Sequence, residues 1–202
     1  MKTIHRPAIA GVLSLGLATL LMAMAVGANA APRISVNPNA QYGGHTRWVD
    51  GVGENGTQGL VLDNTGSPGA GYSFAAATVA GTNGLSTNGL VLAYDMYEPL
   101  HPGSGCQQSQ FDTSLMVPSF NVEVIYPDGS HHAFWLSCAD AIITSSTALR
   151  WTTYTFDTES LAGGSVRGMA IFFDTFDESV TLDNIRVNGT VVGGRGGADA
   201  SH

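Results

Sequence analysis

Apolar residues along this chain fall in short runs cut by glycine-rich turns. The runs are GLVLDN (59–64), YSFAAATV (72–79), GLVLAYDMYE (89–98), FNVEVIYP (120–127), HHAFWLS (131–137), RWTTYTFD (150–157), RGMAIFFDT (167–175) and VTLDNIRV (180–187). Between them stand GENG, DNTGSPGAG, GTNG, STNG, HPGSG, YPDGS, LAGG and VNG. Short β-branched and aromatic runs with such regular punctuation predict strands. Eight or so in one domain predict two packed antiparallel sheets, an all-β sandwich of the jelly-roll kind. Pro127-Asp128-Gly129-Ser130 predicts a hairpin turn, since proline presets φ and glycine accepts positive φ. No segment longer than ten residues holds a 3.6-residue period, and ADAIITSSTAL (139–149) is the nearest thing to a short helix.

Alternation sorts the side chains within a strand. In HHAFWLS, His132, Phe134 and Leu136 oppose His131, Ala133 and Trp135; in FNVEVIYP, Val122 and Val124 oppose Asn121, Glu123 and Ile125. In RWTTYTFD, Trp151, Thr153 and Thr155 oppose Thr152, Tyr154 and Phe156. One face of each packs into the core and the other is solvated or covered by a loop. Two of these strands carry aromatics on both faces, more than a core requires. VTLDNIRV breaks the pattern differently, setting Asp183 and Asn184 side by side.

Upstream of the strands, Lys2 and Arg6 precede the apolar stretch from Ala8 to Val26, and Ala28-Asn29-Ala30 follows it. A charged start, an apolar run and a small-x-small end predict a secretory signal peptide over 1–30, bacterial in character. The domain then covers 31–192, and 193–202 forms a flexible glycine-rich tail. Past residue 30 there is no lysine, and six arginines face 16 Asp and Glu, a net charge of −10. Nucleic acid and anionic membranes both call for a basic patch, so neither is an expected partner. The expected location is extracellular or periplasmic. Cys106 and Cys138 lie outside any C-x-x-C and have no histidine at ligand spacing, so in an exported chain they predict a disulfide. A bridge closing a loop of about 30 residues is worth ~3–4 kcal/mol.

Arg47-Trp48, the GLVL strand at 59–62, PSFNVEVIYPDGSHHAFW (118–135), RWTTYTF (150–156) and the closing VTLDNIRV are similar to the jelly-roll carbohydrate-binding modules with a galactose-binding-like β-sandwich. The resemblance spans most of residues 45–189. It implies a polysaccharide or cell-surface glycan as partner and a structural tryptophan at Trp151. It also implies that the Asp of the last strand, here Asp183, helps to hold a structural Ca²⁺. Calcium takes six to eight oxygens, and WVDGVGENGTQ offers Asp50, Glu54 and Asn55. The acidic residue the family sets just before its early tryptophan is missing here, where QYGGHTR precedes Trp48.

A sugar ring needs an aromatic platform for its C–H face and polar side chains for its hydroxyl rim. Trp135 and Tyr97 are the expected platforms, among Trp48, Tyr72, Tyr94 and Tyr154, each of which also suits a core. Asp95, His131, Glu123 and Gln108 are the expected polar partners, with the loop 101–110 as a wall. Glycosidases need two carboxylates across the sugar; Asp95 with Glu98, or Asp174, Asp177 and Glu178, are the available sets, and none sits in a hydrolase or lyase motif. No G-x-S-x-G occurs, and His131 and His132 point to opposite sides of one strand. A non-catalytic glycan-binding protein is the first expectation, a structural or adhesive matrix protein the second, a glycan-active hydrolase or lyase the third.

Overall fold

A computed structural model describes residues 33–39, 44–65, 74–98, 106, 117–146, 150–174 and 178–192, with side chains 145 and 146 excepted. The expected signal peptide and tail lie outside the described residues, as do Tyr72, Gln108, Asp177 and all of the loop 101–110 except Cys106. Among the described residues twelve strands form: β1 (Ser35–Asn39), β2 (His45–Val49), β3 (Gly59–Asp63), β4 (Ala75–Ala80), β5 (Leu92–Tyr97), β6 (Ser119–Ile125), β7 (His131–Leu136), β8 (Ala141–Ser146), β9 (Trp151–Phe156), β10 (Ser165–Phe173), β11 (Ser179–Val187) and β12 (Thr190–Val191). They make two antiparallel sheets, the expected sandwich. One has five strands in the order β1-β4-β10-β6-β7. The other has seven, in the order β2-β3-β11-β5-β9-β8 with β12 paired to β11.

Every predicted run holds a strand. The stretch nearest to a helix is extended where it is described: β8 takes Ala141–Ser146, preceded by a 3-10 turn at Cys138–Asp140. Ile142, Ile143 and Thr144 are β-branched and pair with β9, a setting that favours extended backbone over helix. The β6–β7 hairpin closes as predicted. Tyr126 N–H donates to Ser130 O at 2.9 Å, Gly129 N–H donates to Tyr126 O at 2.9 Å, and Gly129 sits at φ 82°.

The core lies between the sheets. Tyr94 is its hub, with ring centroids 5.4 Å from Phe156, 5.6 Å from Tyr154 and 5.9 Å from Phe120. Leu60, Leu92 and Leu182 of the seven-stranded sheet and Val122, Ile171 and Leu136 of the five-stranded one are all buried there. Trp151 is buried, as a structural tryptophan should be. It shares a face with Thr153 and Thr155, away from the core, and its ring lies 5.4 Å from that of Tyr97. Cys106 and Cys138 form the disulfide, with Cα atoms 5.5 Å apart. Among the described residues no helix is long and apolar enough to cross a membrane.

Candidate functional site

Each sheet turns one face to the core and one outward, and the expected site residues divide between the two outward faces. Trp135, His131 and Glu123 belong to the five-stranded sheet. Tyr97 and Asp95 belong to the seven-stranded sheet. Alternation assigned faces correctly within each strand, but the two platforms do not share a site.

On the five-stranded sheet, strand register sets Trp135 beside Asn121, Asn121 beside Ala170, Ala170 beside Thr78, and Thr78 beside Asn37. This row crosses all five strands on the outward face. With strands about 4.8 Å apart, it is roughly 19 Å long. Next to it, Trp135 and Phe172 have ring centroids 5.3 Å apart, and Phe172 and Phe74 have centroids 5.2 Å apart, so three rings line one side. Trp135 is 55% exposed, the most open of the large aromatics described. On the other side, Arg167 Nη1 donates to Glu123 Oε1 at 2.9 Å and lies 3.0 Å from His131 Nδ1. If that contact is a donation from Arg167, His131 carries its proton on Nε2. Small side chains at Ala76, Ala133, Thr78 and Ala170 keep the floor low between rings and ion pair.

Phe172 and Phe74 were not among the expected residues. The signal for Phe172 was present: adjacent Phe172 and Phe173 in one strand must put a ring on each face.

The outward face of the seven-stranded sheet is built the opposite way. Here Asp183 and Asn184 find their explanation. Asn184 takes φ 45° at a bulge between Asp183 and Arg186, a conformation Asn tolerates. The bulge turns both polar side chains outward. Asp183 Oδ2 accepts from Glu54 N–H at 2.7 Å and Thr57 Oγ1 at 2.5 Å, and Oδ1 accepts from Asn184 N–H at 2.6 Å. Asn184 Nδ2 donates to Glu54 Oε2 at 3.0 Å and Asp95 Oδ2 at 2.8 Å. Asp95 Oδ1 also accepts from Thr153 Oγ1 at 2.6 Å and Arg186 Nη2 at 2.7 Å. Gly53 leaves room for this: a Cβ there would stand 2.6 Å from Asp183 Oδ2. Burial, and after it the charges of Asp95 and Asp183, push the Glu54 carboxyl above its usual range.

The oxygens expected to hold calcium do not fit an ion. Asp50 is turned to Gln58 Nε2 at 2.8 Å. Asp183 is filled by three N–H and O–H donors, and the positive charge in the cluster is the guanidinium of Arg186. Among the described residues, no group of three or more His, Cys, Asp and Glu is placed to hold a metal.

Nor do Asp95 and Glu98 face one another across a substrate. Asp95 points outward, whereas buried Glu98 accepts from Thr152 Oγ1 and, at 2.8 Å, from Tyr154 Oη on the core side. Desolvation first, and then the Glu98 charge, hold the Tyr154 hydroxyl protonated. Of the other aromatics, Tyr94 and Tyr154 are buried, and Trp48 donates its Nε1–H to Val36 O at 3.0 Å, which ties β2 to β1.

No protein-family model and no curated protein matches the chain. Two crystal structures of family 30 carbohydrate-binding modules are similar to it. One is 12% identical with a TM-score of 0.47, covering 84% of this chain and 87% of that one. The other is 13% identical with a TM-score of 0.45, covering 77% of this chain and 92% of that one. What the site can hold follows from its own side chains.

Proposed function

We propose that this is an exported, non-catalytic protein that binds a polysaccharide or cell-surface glycan across the outward face of the five-stranded sheet. The observation that carries the reading is the exposed Trp135 at the head of a row of amide and hydroxyl side chains, flanked by Phe172 and Phe74. A pyranose stacks its C–H face on the indole, and its hydroxyls meet Asn121, Thr78 and Asn37 along the row. The row has the length of a short oligosaccharide and is open at the sheet edges, which suits a chain rather than a single sugar. The disulfide supports an oxidising compartment. The test is a pull-down of the mature protein on soluble and insoluble polysaccharides, with reducing ends measured alongside. Saturable binding to one glycan without release of ends is expected. Absence of binding to every glycan tried would remove the reading.

Self-association is a second reading, favoured by β8. Of the edge strands longer than two residues among those described, β1 carries Pro38, β2 carries Arg47 and β7 carries two histidines, all of which discourage strand addition. β8 has neither proline nor charge, and its Ile142 is 67% exposed. Replacing Ile142 by Lys lowers the sedimenting mass at high concentration if β8 pairs between copies, and leaves it unchanged otherwise.

A further inference from the structure

The core-side face of β7 carries a second group of rings that the glycan reading does not use. Where β7 runs out beside the β6–β7 hairpin, Tyr126, Pro127, Asp128, Ser130, His132 and Phe134 line an open recess of ≈ 520 Å³. The Tyr126 and His132 rings stand edge to face with centroids 5.6 Å apart, and His132 and Phe134 are 6.3 Å apart, so the three rings make a cup. Asp128 stands at the rim. Its Oδ1 accepts from Ser130 N–H at 2.9 Å and Ser130 Oγ at 2.7 Å, leaving Oδ2 for a ligand. The Ser130 hydroxyl, and then its N–H, hold this carboxyl below the usual range, so it stays an anion at neutral pH. Among the described residues no Lys or Arg lines the recess, and His132 is the one basic group there. Aromatic faces and a carboxylate with no resident cation complement a positive charge on a compact carbon frame.

We propose that this recess binds an ammonium-bearing ligand, with its cationic head over the rings of Tyr126 and Phe134 and against Asp128. The shared chemistry has two sources, an amino-sugar residue of a glycan or a free quaternary amine. The site does not depend on the glycan reading of the other face, because Trp135 points away from it.

The test is an NMR titration of the mature protein at a pH where histidine is neutral, with tetramethylammonium, glucosamine and glucose as separate probes. Tetramethylammonium or glucosamine is expected to shift the ring signals of Tyr126, His132 and Phe134 while glucose does not. Asp128→Asn, which keeps the acceptor for Ser130, and Phe134→Ala are each expected to weaken binding about fivefold. Trp135→Ala is expected to leave it unchanged. A response to glucosamine assigns the amino-sugar source, and a response to tetramethylammonium alone assigns the quaternary amine. No shift with either cationic probe, an equal shift with glucose, or undiminished binding by Asp128→Asn would overturn the proposal.

Discussion

The two outward faces of this sandwich hold similar residues, aromatics and carboxylates with an arginine among them, and put them to different use. On the seven-stranded sheet, Asp95, Asp183, Asn184 and Arg186 bond to one another and to the turn at Glu54, and Tyr97 leans on a buried Trp151. Every acceptor of Asp95 and Asp183 meets a donor from the protein, so this face fastens the sheet. On the five-stranded sheet, the Trp135 indole is open and the ion pair of Arg167 with Glu123 is exposed. Exposed pairs of that kind add little to stability. Similar residue types therefore do not identify a site; what matters is whether their bonding capacity is already used.

Substitutions should separate the faces. Asp183→Ala should have the largest effect, since it strips the acceptor from Glu54 N–H, Asn184 N–H and Thr57. We expect a loss of about 3 kcal/mol in urea unfolding, with the affinity of the remaining folded protein for glycan unaltered. Trp135→Ala should do the reverse, lowering glycan affinity at least about tenfold while the melting temperature stays near that of the parent. A glycan-binding defect in Tyr97→Ala equal to that in Trp135→Ala would erase the distinction.

Acid titration gives a smaller effect of opposite sign at two carboxyls of the seven-stranded sheet. Glu54 has a folded-state pKa above its unfolded value, so its contribution is most favourable below the unfolded pKa and declines as pH rises through the folded one. Asp63 is held low, first by the Thr65 hydroxyl and further by Thr65 N–H and Arg47, against some burial; its stabilisation is present above the unfolded pKa and lost as pH falls through the folded one. Glu54→Gln should therefore match or exceed the parent in melting temperature at neutral pH. Asp63→Asn should melt below the parent at neutral pH and draw level as the pH falls through the lowered folded-state pKa of Asp63. The smallest expected change is none: EDTA should leave the melting temperature where it is, because protein donors already occupy the Asp183 oxygens. A calcium-dependent rise in melting temperature would reopen the metal reading.

The strands were legible because glycine turns and β-branched runs are local signals. β1 was hidden by Pro38 in a five-residue edge strand, and β8 by an apolar spacing that also suits a helix turn. Alternation placed Trp135 with His131 and Tyr97 with Asp95, as found. It could not show that these pairs lie on different sheets, because sheet membership depends on partners far away in sequence: β7 pairs with β6, β5 with β9 and β11. The same limit hid the bulge. An adjacent Asp and Asn mark an irregularity, but only the register of β11 against β5 shows which neighbours they meet.

Trp135 stands on an edge strand zipped to one neighbour, so under the proposed function a glycan that moves would pull on that strand. Tension on the indole loads the β6–β7 ladder in peeling or in shear according to its direction, and peeling breaks such ladders one bond at a time. Three residues further on, Cys138 is tied covalently to Cys106. The bridge is a stop for the zip: peeling that starts at Trp135 cannot carry the chain at Cys138 away from Cys106.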